Sequence, residues 1–282
     1  MKTEAVIVPN SSGVAPKPRK LRHQREVEDL IRQMSDSSAD LKDNAALQVS
    51  CYKPEVAKIA LPKLFELLGD SEERVVVAAL TSIGVIGSEV EMQRDNLLKV
   101  VQYLGDEKFK HPSSSYASGV QYNAAYTIAY IGPNAKSVVK EFVEQIEKII
   151  SKGNFDLDLI KFAILGVAMI GKDALDARPL LMRFKNGEIK SQWALSEIME
   201  NVNLALAMIE ANEDQAAAYL ADWVKSNKYI DEPDDWDELK NVALHSQCGV
   251  NLLNRVLNED ISSKAKKAII SALKRARKSS SS

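Results

Sequence analysis

The sequence predicts an all-α chain, an α-solenoid of about five to six stacked antiparallel helix pairs wound into a superhelix. Three observations carry this reading. First, the chain echoes itself. Ile83-Gly84-Val85-Ile86-Gly87 returns as Ile128-Ala129-Tyr130-Ile131-Gly132, as Val167-Ala168-Met169-Ile170-Gly171 and as Leu206-Ala207-Met208-Ile209-Glu210, at spacings of 45, 39 and 39 residues. A second echo, Leu67-Leu68-Gly69-Asp70 against Tyr103-Leu104-Gly105-Asp106, is spaced by 36. Periods of this length mark stacked helical hairpins. Second, the 282 residues hold only 12 Gly and 9 Pro, too few for a fold that turns every 8–12 residues or so. Third, apolar residues recur at helical spacing between the echoes.

The elements follow in order. Residues 1–20 contain Ser11-Ser12-Gly13, Pro16 and Pro18 with almost no apolar periodicity and read as a disordered basic tail. Leu21–Met34 places Leu21, Val27, Leu30, Ile31 and Met34 at helical spacing. The repeats then span approximately 38–70, 71–106, 117–150, 157–186, 191–226 and 234–278, with 279–282 a serine tail; 21–278 forms the solenoid. In each, a helix rich in small residues, such as Val75–Ile86 with Ala78 and Ala79, ends where Gly87, Gly132 or Gly171 can turn left-handed. A second helix carries Ile59/Leu61/Leu64/Leu68, Leu97/Val101/Leu104, Phe142/Ile146/Ile149 or Leu220/Trp223/Val224 toward a core. One pair cannot cover both its apolar sides, so pairs must stack. Residues 107–117 lengthen one connection by several residues, and long loops in compact stacks are functional or tolerated extras.

Ile59-Ala60-Leu61-Pro62-Lys63-Leu64, Leu68-Gly69-Asp70 and Val75…Ala78-Ala79 running into Ile83-Gly84-Val85-Ile86-Gly87 together resemble a HEAT repeat, a member of the HEAT/armadillo-like class. The likeness covers about two thirds of the chain, most closely residues 56–150; over 157–226, Ala168 and Ala207 replace a glycine. HEAT repeats usually carry an arginine that ladders with the turn aspartate. Val76, Gln121 and Ile160 occupy those positions here, with Arg74 the one nearby substitute. The resemblance implies a non-catalytic protein-binding scaffold or adaptor.

Motifs for catalysis or metal binding are sparse. His23, His111 and His245 are the only histidines, and none forms a His-Glu pair or zinc spacing. No cofactor is expected. Gly166-Val167-Ala168-Met169-Ile170-Gly171-Lys172-Asp173 imitates a phosphate-binding loop. Yet Asp173 stands where a hydroxyl should hold magnesium, and the run before it is helical rather than strand-like. Cys51 and Cys248, almost 200 residues apart, read as small core residues in a reducing compartment. No apolar run reaches the ~18 residues of a membrane span, and Ala5-Val6-Ile7-Val8 is too short for a secretory core. The expectation is a cytoplasmic protein, or a nuclear one in a nucleated cell.

Charge is segregated. The net charge is −2, but residues 1–25 carry +5 and residues 264–282 carry +7, leaving −14 on the body. An acidic body disfavours wrapping nucleic acid. The basic ends suit an acidic partner or head-to-tail contacts between copies; the contacts expected there are Lys17, Arg19, Lys20, Arg22 and Arg25, and Lys274, Arg275, Arg277 and Lys278. Projecting equivalent positions of the second helices gives a mixed-sign groove of Lys63, Glu66, Lys99, Gln102, Glu144, Glu147, Arg183 and Asp222, suited to a peptide or protein. Pro233-Asp234-Asp235-Trp236-Asp237-Glu238 reads as a capped helix start or a docking tryptophan. Two alternatives stay open: a nucleic-acid-associated protein working through its basic termini, and a HEAT-type bilin lyase or assembly factor.

Overall fold

The structure, a computed structural model, describes residues 19–109, 119–153, 155–189, 196–226, 239, 242–246 and 248–279. Among these, all regular structure is helical. The first helix, α1 (Arg19–Gln33), begins two residues before the apolar pattern does. The chain then alternates two kinds of helix. The small-residue kind comprises α2 (Ala39–Val49), α5 (Glu73–Gly87), α7 (Gly119–Ile131), α9 (Leu157–Ile170) and α11 (Ser196–Ile209). The bulky kind comprises α4 (Leu61–Leu67), entered through the short α3 (Pro54–Ala57), then α6 (Arg94–Gln102), α8 (Val139–Ser151), α10 (Arg178–Lys185) and α12 (Glu213–Ser226). Two last helices, α13 (Val250–Val256) and α14 (Ser263–Ser279), end the stack.

Each small-residue helix packs along much of its length on the next, α2 on α5, α5 on α7, α7 on α9 and α9 on α11. The bulky helices touch their successors far less closely. Residue choice explains the difference. Ala78, Ala79 and Gly84 on α5, Ala124 and Ala125 on α7, and Ala163 and Gly166 on α9 are all buried, so backbones approach closely. A Cβ on Gly84 would lie 3.3 Å from the Cα of Thr127. In the other row, Leu64, Leu97, Leu104, Phe142, Ile146, Leu180, Phe184, Leu220 and Trp223 fill the space. Each such burial contributes roughly 1.5–3 kcal/mol. Two rows of unequal spacing must bend toward the tighter one, so the small-residue row forms the inside of the superhelix.

Buried and half-buried side chains sew that inner row together. Ser82 Oγ donates to the Ala46 carbonyl at 2.6 Å, Thr127 Oγ1 to the Leu80 carbonyl at 2.9 Å, and Asn201 Nδ2 to the Lys161 carbonyl at 2.8 Å. Along α5 and α7, Val77 lies beside Gly119, Thr81 beside Asn123, Gly84 beside Thr127 and Gly87 beside Ile131, so these two helices run parallel. The turns repeat the logic. Asp70 accepts from the Glu72 amide at 3.0 Å and from Lys42 Nζ at 2.7 Å. Lys42 therefore supplies the first rung of the basic-residue-to-aspartate ladder, a position the sequence reading did not consider. Arg74 pairs instead with Asp40 and Asp43.

Three expectations need correction. Gly87 is helical, not left-handed; the helix caps at Ser88, and the glycine is needed because a Cβ would run into Met92 and Ile131. Gly132 and Gly171 do turn, at φ +56° and +79°. At Gly171 a Cβ would also sit 2.5 Å from the His245 carbonyl oxygen. Ile59 is largely exposed rather than core, because it lies in a short 3-10 turn ahead of α4. Neither cysteine is buried: Cys51 is exposed, one residue beyond the end cap of α2, and Cys248 is half-buried with its thiol on the Glu210 carbonyl.

Candidate protein-binding face

The inner faces of α5, α7 and α9 each leave one line of side chains partly uncovered at intervals of three or four residues. On α5 the line is Val77, Thr81 and Val85; on α7 it is Tyr122, Tyr126 and Tyr130; on α9 it is Phe162 with Leu165 and Met169. Four residues advance a helix by about 6 Å, so parallel helices set these lines side by side. The rings meet across the helices. Tyr122 lies edge-on to Phe162 with centroids 4.5 Å apart, Tyr126 edge-on to Tyr130 at 4.6 Å, and Tyr126 to Phe162 at 5.9 Å. Tyr122 and Tyr126 stack at 6.2 Å, and the Tyr126 hydroxyl donates to that of Tyr130 at 3.2 Å. Tyr130 remains 47% exposed.

Polar groups rim this patch. Asn123 Nδ2 donates to the Gly119 carbonyl at 2.6 Å, and its Oδ1 lies 3.4 Å from Thr81 Oγ1. Glu73 reaches over the start of α7 beside Gly119. Burial pushes the Tyr122 phenol above its ordinary range, and the nearby Asp158 carboxylate adds to this. Lys161 also belongs to the inner face of α9. A wall of aromatic and aliphatic surface with a mixed polar rim can grip an extended or helical peptide.

The sequence-predicted groove residues sit on the other row, where several satisfy one another. Lys63 Nζ pairs with Glu66 on its own helix at 2.8 Å. Arg183 on α10 pairs with Glu147 on α8 at 3.3 Å, and Lys185 on α10 with Asp222 on α12 at 3.2 Å. Lys99 on α6 lies 6.0 Å from the Phe65 ring of α4. Gln102 and Glu144 are exposed. Of the charged residues in this set, Glu147, Arg183 and Asp222 form ion pairs between repeats, while Lys63 and Glu66 pair within one helix.

The basic ends separate. Lys17 lies outside the described residues, as do His111, Trp193 and the segment Pro233–Glu238. Arg19 and Lys20 open α1, Arg22 pairs with Glu26 at 3.0 Å, and Arg25 is exposed. On α14, Ala265, Ala268, Ile269, Ala272, Leu273 and Ala276 face inward, leaving Lys267, Lys274, Arg275 and Arg277 exposed at the end of the stack; Lys278 closes the same helix. Among the described residues no cluster of three or more His, Cys, Asp or Glu could hold a metal ion. No described helix is long and apolar enough to cross a membrane. In the phosphate-loop imitation, Gly166 is helical and lies against Phe142.

No family model matches the chain, and no curated protein matches it. Solved structures do. Two engineered proteins each superpose with a TM-score of 0.50 at 18% identity over 90% of this chain, covering 97% and 99% of theirs. A designed armadillo repeat protein superposes at 0.48 and 17% identity, over 89% of this chain and 99% of its own. The fold is an α-solenoid of stacked helix pairs. The tyrosine line was visible in the sequence as Tyr122, Tyr126 and Tyr130, an i, i+4, i+8 series. It was missed because the inner row could be told from the outer only by the spacing between helices.

Proposed function

We propose that this protein is a non-catalytic scaffold that holds a protein or peptide partner against the inner wall of its superhelix. The observation that carries the reading is the cluster of Tyr122, Tyr126, Tyr130 and Phe162 on the most tightly packed row, with Tyr130 exposed and the other three rings only half-buried. Rings of this size usually go to a core; here small residues already fill it, so the rings serve what docks on them. Tyrosine is enriched among residues that dominate binding energy, since it offers large rigid area and a polar tip. The row of Lys63, Glu66, Lys99, Gln102, Glu144, Glu147, Arg183 and Asp222 lies on the outer side in this reading and serves chiefly to tie repeats. The exposed bases of α14 offer an auxiliary contact for an acidic segment of the same partner.

Site-specific photocrosslinking in the native host tests this. A benzophenone amino acid replaces Tyr130 on the wall or, separately, Leu175, which is 54% exposed on the turn after α9. The wall position should yield a discrete adduct of higher mass that the Leu175 position does not. Equal adducts from both positions, or none from the wall, would count against a wall-bound partner.

A further inference from the structure

Resting on that reading, we infer that the aromatic wall has an internal occupant: the apolar segment Ala5-Val6-Ile7-Val8-Pro9 of the same chain, which a partner must displace. Its chemistry fits the wall. The segment is an apolar run ahead of α1, it carries no charge, and it ends in proline. Aliphatic and proline side chains pack flat on tyrosine rings, as in aromatic-lined grooves that take extended peptides. The wall offers such rings beside Val77, Val85, Leu165 and Met169, all partly uncovered.

Reach fits as well. From the start of α1 at Arg19, the wall on α7 lies three helix contacts away, through α2 and α5. At 8–10 Å per contact this is about 30 Å. Pro9 stands 10 residues before Arg19 and Ala5 stands 14. An extended chain covers about 3.3 Å per residue, so the segment can be delivered roughly 33–46 Å from Arg19. Apolar residues placed nearer to α1 would fall short of the rings. The intervening Asn10–Pro18 is polar and rich in serine, glycine and proline, a composition suited to a connector.

An intramolecular ligand is held at a high effective concentration, on the order of millimolar for a short connector. Modest affinity then suffices to keep the wall covered, and a partner's apparent Kd equals its intrinsic Kd divided by the fraction of chains in which the wall is open. The occupied wall also hides rings that would otherwise promote self-association.

Disulfide trapping in the full chain tests the assignment. In a Cys51→Ser, Cys248→Ala background, Ile7→Cys is combined with Tyr130→Cys on the wall or with Leu175→Cys off it. Both partner positions are exposed, so neither should disturb folding, and circular dichroism checks this. Under mild oxidation the wall pair should close within one chain at least about tenfold faster than the control pair, and Val6→Asp, Val8→Asp should abolish that advantage, as expected if apolar burial drives docking. Equal rates for the two pairs, or bridges formed only between chains, would overturn the proposal. A wall that crosslinks a cellular partner while failing to trap Ile7→Cys would leave the binding function standing and remove only the internal occupant.

Discussion

The inner and outer rows of the superhelix solve opposite packing problems. Inside, alanine and glycine bring helices close, and stability comes from fit: Gly84 against Thr127, Ser82 on the Ala46 carbonyl, Thr127 on the Leu80 carbonyl. Outside, spacing is wider and Phe142, Phe184, Leu97 and Trp223 fill it, while exposed charges tie neighbouring repeats. The contrast teaches where a partner can be held. A row that is stable without large side chains is free to display them, and it displays tyrosine. A row that needs its large side chains inside offers chiefly polar and charged tips, several of which are engaged with one another.

If this contrast is real, the rows should fail under opposite substitutions. Truncation should hurt most outside. Phe142→Ala is expected to cost about 3–5 kcal/mol by denaturant unfolding, through lost burial and the cavity left behind. Enlargement should hurt most inside. Ala125→Leu is expected to cost about 1–3 kcal/mol, because a buried methyl position facing adjacent helices has no room to expand. A neutral result for Ala125→Leu would mean the inner row is loosely packed.

The boundary between the rows supplies a pH effect. Glu210 follows α11 directly, is buried, accepts from the Asn212 amide at 3.1 Å and pairs with Arg178 at 3.1 Å. Burial raises its carboxyl, but the Asn212 amide and the Arg178 guanidinium outweigh this and hold it below the ordinary 4.5. A carboxyl lowered on folding contributes stability that is complete above its unfolded value and lost as pH falls through the folded one. Glu210→Gln should therefore destabilise by roughly 1–2 kcal/mol at neutral pH, given a half-exposed Arg178 partner. Below about pH 4.5 the gap between variant and parent should close. A gap unchanged by pH would show that the charge is not what matters. Smallest of all, Arg183→Gln, which cuts an exposed tie between α8 and α10, should change stability by no more than about 0.5 kcal/mol.

Much of the stack could be read from the sequence, because apolar period and repeat spacing report local geometry directly. The hairpin order, the buried Trp223 and the left-handed Gly132 and Gly171 are of this kind. What could not be read depends on distances between elements. Gly87 looked like a helix stop, since sequence does not show that Met92 folds back on it. Glu210 looked like a degenerate copy of a glycine, although its carboxylate holds the turn ahead of α12 by accepting from the Asn212 amide. Lys42 was overlooked because it stands 28 residues before its aspartate partner, on the preceding small-residue helix. The tyrosine line resembled ordinary helix composition until the bend direction decided which row faces inward.

Which row holds a ligand can be settled by a single titration. A labelled peptide selected from a displayed library on the full chain is measured against two full-length double variants. Tyr122→Ala, Tyr126→Ala should raise its Kd at least about tenfold, equivalent to ~1.4 kcal/mol, while Glu147→Ala, Arg183→Ala should leave it within about twofold, as expected for exposed charges. The reverse pattern, with the outer variant losing the peptide and the tyrosine variant keeping it, would contradict an inner binding wall.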